Sequence, residues 1–230
     1  YKHDSLKSRF VFKDGLRDGI QRKWCENGNL SWECNFKEGK KNGTEKDWNT
    51  LGQILCDFRF EAGKKSGIQK EWFINWQLKS EENYKLGEKH GNQRYWFKNG
   101  KPSLELNYAN GNVDGAYNEW YESGQLKSER EYCSGKKCFI QKEWWPSGIL
   151  KYEYEENGNE TRYVNGSDEN GGDICFVFNS RGVEEERISI EEGLKRVEEN
   201  EVSFFTSRQN GETHGSPDFS IIFRRANYET

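Results

Sequence analysis

The chain has 230 residues, of which 32% are hydrophobic and another 32% are charged. This balance supplies too little aliphatic material for one large globular core, but the 9 Trp, 11 Tyr and 14 Phe argue against disorder. The formal net charge of -4 does not favour a phosphate-binding surface. No nucleic-acid partner is therefore expected, and membrane binding is disfavoured.

A sequence repeat with a period of 24 residues predicts the secondary structure of residues 1–156. Tryptophan keeps this period without a break, at Trp24, Trp48, Trp72, Trp96, Trp120 and Trp144. Glycine follows the same period in three columns, which begin at Gly15, Gly19 and Gly28. The second column is broken only at Phe139 and the third only at Trp76. Fixed periods of this length indicate a repeat array, here a partial copy followed by six full copies.

Each copy is predicted to form a β-hairpin. The first strand ends at the tryptophan, a glycine-containing turn follows, and the second strand runs from a position such as Leu30 to an aromatic residue such as Phe36. One hairpin is marginally stable in water, so successive hairpins are expected to extend a single sheet. The predicted fold is mostly β, an elongated single-layer antiparallel sheet in which the tryptophans form a structural ladder.

The repeat motif carries a family resemblance. Residues 111–129, GNVDGAYNEWYESGQLKSE, show the pattern G-x-x-x-G-x-x-x-x-W-x-x-x-G-x-L-x-x-E, which resembles the MORN-variant repeat (membrane occupation and recognition nexus). The resemblance covers about residues 4–156 and implies an elongated hairpin array that acts as a binding scaffold. Similar repeats occur in bacterial proteins described as antitoxins of toxin–antitoxin systems. Departures at Trp76, Pro102 and Phe139 predict local changes in turn or strand chemistry.

The C-terminal part of the chain lacks the repeat. Residues 157–172 are rich in Gly and Asn and predict a linker. Residues 173–230 predict a small α+β domain with strands at 174–178, 202–206 and 219–223 and a short helix whose capping box starts at Ser189. This domain is either a cap that closes the open edge of the sheet or a separate partner-binding or dimerising module.

The sequence offers no catalytic constellation. The three His residues fall in predicted loops without metal-ligand spacing, and no nucleophile or phosphate-loop motif is present. An acidic loop with Asp168, Asn170 and Asp173 lacks the pattern of a calcium-binding EF-hand. The sequence therefore predicts a non-enzymatic protein that has no cofactor and no metal.

Two cysteines give information about the cellular compartment in which the protein resides. Cys133 and Cys138 flank one turn between repeats, and a disulfide between them would favour an oxidising environment. The chain contains no Met, as expected of a mature protein after removal of an export signal, although a shortened chain would look the same. The sequence leans towards an exported protein of the periplasm or cell envelope, with the cytoplasm as the alternative.

The residue after each tryptophan is the predicted binding position. From the third full copy onward these residues are aromatic, at Phe73, Phe97, Tyr121 and Trp145. Because neighbours in a strand point to opposite faces, they are expected to project opposite the tryptophan ladder. They form either a second structural ladder or an exposed stripe that binds a protein. The predicted function is a protein-binding scaffold, such as an antitoxin or immunity protein. The alternatives are an exported structural module and a lipid-surface binder.

Overall fold

A computed structural model describes residues 7–157, 160–167, 169–172, 174–178, 184–189, 203–205 and 222–224. Fifteen of its strands belong by hydrogen-bond pairing to one open antiparallel sheet. The prediction of a mostly β fold built from repeated hairpins is therefore confirmed. Among the described residues, no helix is long and apolar enough to span a membrane.

Two compact units divide the chain, residues 1–115 and residues 116–230. The first unit contains β1 (Ser8–Arg9), β2 (Phe12–Lys13), β3 (Leu16–Arg17), β4 (Gly19–Trp24), β5 (Leu30–Lys37), β6 (Lys40–Trp48), β7 (Ile54–Glu61), β8 (Lys64–Lys65), β9 (Gly67–Trp72), β10 (Leu78–Lys85), β11 (Glu88–Trp96) and β12 (Pro102–Ala109). Its sheet order is β1-β4-β5-β6-β7-β9-β10-β11-β12, while β8 pairs with β7 and β2 pairs with β3. The boundary between the units falls inside β13 (Asn112–Trp120).

The second unit continues with β14 (Leu126–Cys133), β15 (Lys136–Trp144), β16 (Leu150–Asn157), β17 (Glu160–Gly166), β18 (Ile174–Phe178), β19 (Glu184–Ser189), β20 (Ser203–Phe205) and β21 (Ile222–Arg224). Strands β14 to β17 pair in chain order, and β18–β19 and β20–β21 form two separate ladders. Strand β17 lies within the predicted linker, where Thr161, Tyr163 and Val164 favour strand. The predicted C-terminal helix falls outside the described residues, and the predicted domain division stays a prediction.

Type I′ turns explain the unbroken first glycine column. At the turn between β5 and β6, Glu38 has a φ of 50° and Gly39 a φ of 78°. Two successive positive φ angles define the two-residue hairpin turn whose twist matches that of the strands it joins. The same pair of conformations recurs in every copy, ending at Ser134 and Gly135.

The second glycine column lies opposite an aromatic column. The direct cross-strand pairs are Gly19 with Phe36, Gly43 with Phe60, Gly67 with Tyr84 and Gly91 with Tyr108. All four glycines have a positive φ, between 68° and 107°, which glycine adopts without strain, and a Cβ added at Gly43 would lie 2.9 Å from the side chain of Asn35. In the sixth copy Phe139 replaces the glycine and pairs with Glu156, so both partners change together.

The three departures from the motif keep the backbone of the repeat. Trp76 has a φ of 69° and Phe139 a φ of 61°, so both adopt the left-handed conformation of the glycines they replace. Pro102 pairs with Trp96 as Leu78 pairs with Trp72. The backbone of the repeat is thus kept at all three positions, and Trp76 and Phe139 hold a conformation that is disfavoured for bulky residues.

A column of glutamines forms the most buried layer. Gln21, Gln69, Gln93 and Gln141 are at most 1% exposed. The side-chain oxygen of Gln93 accepts a hydrogen bond from Asn83 N (3.2 Å), and its nitrogen donates to Asn83 O (3.0 Å). Asn83 lies where a bulge shifts the register between β10 and β11, so its backbone groups need another partner. The glutamine amide thus replaces a missing strand neighbour.

The opposite face carries the tryptophans and a ladder of ion pairs. Gln93 and Arg94 are consecutive in β11, so their side chains lie on different faces, here called the Gln face and the ion-pair face. The ion pairs recur at one position per repeat: Arg22–Glu33, Lys46–Asp57, Lys70–Glu81, Arg94–Glu105 and Lys142–Glu153. All six tryptophans of the column are half-buried.

Candidate protein-interaction surfaces

Aromatic rings and cations alternate on the Gln face of the first unit. Each ring of the aromatic column has a cation near its centroid, at 4.8 to 5.7 Å: Arg17 at Phe36, Lys41 at Phe60, Lys65 at Tyr84 and Lys89 at Tyr108. These eight residues are here called the cation–aromatic row. Its rings are half-buried, so part of each ring meets solvent. Cations at these distances are attracted to the ring faces.

Most cations of the row touch a second ring. Arg17 lies 5.0 Å from the centroid of Phe10, and Lys65 lies 4.7 Å from that of Phe58. Lys65 has no ion-pair partner among the residues that the structure describes. Lys41 pairs with the buried Glu45 at 2.5 Å. The row therefore holds its cations in place through rings and leaves the charge of Lys65 available to a ligand.

A hydrogen-bonded cluster anchors Lys89. Glu82 accepts hydrogen bonds from Lys89 Nζ (2.8 Å), from Tyr84 Oη (3.1 Å) and from Tyr95 Oη. Burial opposes ionisation of Glu82, but the bonds from Lys89 and Tyr95 outweigh it and lower the pKa of Glu82. Burial and the bond to Glu82 raise the pKa of Tyr95 to about 12. The cluster is thus an ion pair between Glu82 and Lys89, and two neutral phenols donate further hydrogen bonds to Glu82.

The buried thiols on this face are not activated nucleophiles. Burial, and then the charge of Glu45, raise the pKa of Cys34 to about 12. Burial and a hydrogen bond to Asp47 raise the pKa of Cys56 as well. A thiolate is the reactive form of cysteine, so raised pKa values make these thiols inert. In the part of the chain that the structure describes, no group of three or more metal-ligating side chains occurs. The alternating rings and cations of this face suit the binding of a ligand.

The predicted aromatic stripe lies at the hairpin tips. Strand β9 ends at Trp72, and Phe73 opens the following turn, where Phe73 N donates to Gln77 O (2.9 Å). Phe97 N donates to Lys101 O (2.9 Å) in the same way, and the turns after Trp120 and Trp144 repeat the bond. These residues therefore leave the strand before alternation can place them opposite the tryptophans. All four are half-buried.

Polar atoms of the stripe are engaged within the second unit. Tyr121 Oη donates to Trp144 O (2.9 Å), and Trp145 Nε1 donates to Ser167 O (2.8 Å). Lys151 Nζ lies 5.0 Å from the Trp145 ring centroid. The two hydrogen bonds tie Tyr121 and Trp145 to later backbone, as in a structural ladder. The partner-binding role of Phe73, Phe97, Tyr121 and Trp145 stays a prediction.

More exposed apolar residues lie on the same tips of the first unit. Leu51 is 77% exposed, Ile74 75% and Trp76 64%. In the sequence, Trp76 is visible only as the break in the third glycine column. A bulky residue in a column of glycines is itself a signal of a functional role, because non-glycine residues disfavour positive φ and strained conformations cluster at functional sites.

A disulfide closes one hairpin of the second unit. Cys133 and Cys138 are joined across the turn between β14 and β15, with a Cα–Cα distance of 5.8 Å. Cys34 and Cys56 in the first unit are free and buried. The two predicted disulfide residues are therefore brought together by a turn that also contains Ser134 and Gly135.

Comparison with known proteins identifies the repeat. Residues 89–110 and 113–134 match the family model described as the MORN repeat variant. These two adjacent segments cover the hairpin of β11 and β12 and most of the next one. No curated protein matches the chain. MORN repeats are generally protein- or membrane-binding modules without catalytic function, which agrees with the predicted scaffold.

Proposed function

We propose that the protein is a non-enzymatic scaffold that holds an acidic segment of a partner protein along the cation–aromatic row. The observation that carries the proposal is the pairing of a half-buried ring with a cation in four successive copies of the first unit. Aromatic and cationic side chains that are already held in place are favoured at protein interfaces, because little conformational entropy remains to be lost on binding.

The spacing of the row specifies the ligand. Equivalent side chains in successive copies lie two strands apart, roughly 10 Å. An extended peptide advances about 3.3 Å per residue, so side chains three residues apart match successive copies, and a carboxylate among them would meet Lys65, since Lys41 and Lys89 already pair with Glu45 and Glu82. Apolar side chains between them would contact the open parts of the rings. Lys65, between Phe58 and Tyr84, is the expected centre of the contact.

Site-specific photo-crosslinking in the cell that produces the protein tests this proposal. A photoreactive phenylalanine analogue in place of Tyr84 is expected to give a covalent adduct with another protein, and Lys65→Glu in the same chain should abolish it. The matched control is the analogue at Ile68, which pairs with Asn83, the neighbour of Tyr84, and is 45% exposed on the ion-pair face. Adducts from Ile68 but not from Tyr84 would place the partner on the ion-pair face and would contradict the proposal.

The finer proposal is an antitoxin or immunity protein that covers a toxin, and it rests on the resemblance of the repeat motif. Co-expression with the product of a neighbouring toxin gene tests it. The wild-type chain should restore growth, whereas Lys65→Glu protein at equal abundance should not. Rescue by both would separate the antitoxin role from the row. No rescue by either would remove the antitoxin role.

The predicted stripe at the tips remains a rival binding site. The double variant Tyr121→Ala, Trp145→Ala leaves the row in the first unit unchanged. If the partner instead docks on the stripe, the analogue at Phe97 should give an adduct that this variant weakens and Lys65→Glu does not, and Tyr84 should give none. An adduct from Tyr84 that this variant retains would favour the row.

An exported structural module is the second candidate, and the Cys133–Cys138 disulfide favours it. Alkylation of thiols in intact cells, before any reduction, distinguishes the compartments. An exported protein should show Cys133 and Cys138 protected from alkylation. Complete alkylation of both would indicate a reducing compartment.

A further inference from the structure

The hairpin tips of the first unit form a row along one edge of its sheet. The tips are residues 25–29, 49–53, 73–77 and 97–101, here called tips 1 to 4. In a meander of antiparallel strands, alternate turns lie on the same edge. Side chains link neighbours in the row: Asn27 Nδ2 donates to Thr50 O (2.7 Å), and Asn75 Nδ2 donates to Lys98 O (2.6 Å).

The two central tips present apolar side chains to solvent. Leu51 projects from tip 2, and Ile74 and Trp76 project from tip 3; each is at least 64% exposed. Trp76 adopts a φ of 69°, where the same position in tips 1, 2 and 4 is Gly28, Gly52 and Gly100. A bulky residue held in a disfavoured conformation, with its side chain in water, stabilises neither the turn nor a core.

Opposite charges flank the apolar tips. Glu26 is exposed on tip 1, and Lys98 is exposed at the equivalent position of tip 4. Neither side chain has an ion-pair partner among the residues that the structure describes. Along the edge the order is therefore negative, apolar, apolar, positive. This order is complementary to itself when a second row runs antiparallel to it.

We propose that the tip row associates with the tip row of a second copy of this chain through a two-fold axis between tips 2 and 3. Tip 1 then faces tip 4 of the other copy, which brings Glu26 to Lys98 at both ends, and Leu51 meets Ile74 and Trp76 at the centre. A two-fold interface requires this self-complementarity. The edge lies apart from the cation–aromatic row, so dimerisation leaves the proposed partner site open.

Sedimentation velocity of the purified chain, from about 1 to about 200 µM, tests the proposal, because a contact smaller than the standard interface predicts a micromolar dimer. The wild-type chain should shift from monomer to dimer across this range. Trp76→Gly restores the glycine of the column and should weaken association at least about tenfold. The matched control is Phe139→Gly, which removes another exposed aromatic residue with positive φ at a glycine-column position and should leave association unchanged.

A charge swap distinguishes the proposed two-fold contact from non-specific association. Glu26→Lys and Lys98→Glu should each weaken the dimer, because like charges then meet at both ends, and the double variant should restore it. A monomeric wild-type chain at all concentrations overturns the proposal, as does a double variant no better than the single ones. Binding of the monomer to phosphatidylcholine–phosphatidylserine vesicles that is lost in Trp76→Gly would also overturn it, by assigning the tips to lipid.

Discussion

The tryptophan column and the glutamine column repeat with the same period but differ in what they do. The tryptophans are conspicuous in the sequence, yet they are half-buried on the ion-pair face. The glutamines at the equivalent positions Gln21, Gln69, Gln93 and Gln141 are almost completely buried. In a sheet with one layer, the space closest to the backbone is the space best shielded from water. A short polar side chain that bonds the backbone can therefore form the core.

The difference follows from the bulge in each repeat. A bulge leaves one residue without a hydrogen-bond partner in one of its two neighbouring strands, and unpaired buried backbone groups are costly. Only a side chain with both a donor and an acceptor in one plane can satisfy the N–H and C=O of the same residue, as the Gln amide does. Tryptophan has one donor and cannot do so. In the copies of Gln21, Gln69 and Gln93, hydrogen bonding of this kind holds the repeat together in addition to packing.

Loss of a column glutamine should have the largest effect. Gln93→Ala is expected to lower the free energy of unfolding by about 3 kcal/mol, because Asn83 loses the partners of both its backbone groups. Urea denaturation measures the change. The matched control is Arg94→Ala on the ion-pair face, where loss of the exposed pair with Glu105 should cost less than about 1 kcal/mol. Equal losses would show that the amide has no special role.

Loss of a column tryptophan should have a smaller effect. Trp96→Ala is expected to cost about 2 kcal/mol, since a fully buried tryptophan costs about 3 to 5 kcal/mol and Trp96 is half-buried. The same urea experiment compares it with Gln93→Ala. A cost for Trp96→Ala clearly above that for Gln93→Ala would restore the tryptophans as the main structural ladder.

The turn between β14 and β15 is closed by a disulfide, which can stabilise the neighbourhood of the column glutamine Gln141. Gln141 Nε2 donates to Cys138 O (2.6 Å), but its Oε1 is buried without a hydrogen-bond partner among the described residues. The neighbouring disulfide closes a short loop, and its removal in Cys133→Ser, Cys138→Ser should cost about 2 kcal/mol by loop entropy. Thermal unfolding of the variant measures this. No loss of stability would mean that the disulfide does not support this hairpin.

Restoring a glycine should have the smallest effect, and of opposite sign. Trp76→Gly is expected to raise the free energy of unfolding by about 1 kcal/mol, because the left-handed conformation is disfavoured for tryptophan and open to glycine. The measurement is made on dilute monomer, so that association through the tips does not contribute. Destabilisation would show that the exposed ring supports the fold.

The sequence predicted the architecture because its determinants are local. Period, turn glycines and strand alternation identified the hairpins, and the departures at Trp76, Pro102 and Phe139 were visible as breaks in columns. The core was missed because Glu45 and Tyr117 interrupt the glutamine column, and because polar residues are not expected inside. The same four glutamines, aligned by period, would have indicated it.

The proposed binding row was harder to find in the sequence than the fold. Placement of Phe73 and its equivalents opposite the tryptophans assumed that the strand continued for one more residue, whereas β9 ends at Trp72 and Phe73 opens the turn. The cation–aromatic row was hidden because it pairs a position such as Lys65 with Tyr84, which lies 19 residues later. Only the register of the strands shows that they meet.

Amide hydrogen exchange at Asn83 tests most directly the claim that side-chain amides complete the sheet. Asn83 N has Gln93 Oε1 as its acceptor at the bulge, so its exchange in the wild-type chain should be as slow as that of neighbouring strand residues. In Gln93→Ala protein, under conditions where the chain remains folded, the Asn83 amide should exchange far faster while Arg94 N–H stays protected. Rapid exchange of Asn83 in the wild-type chain, or unchanged protection in the variant, would contradict the account.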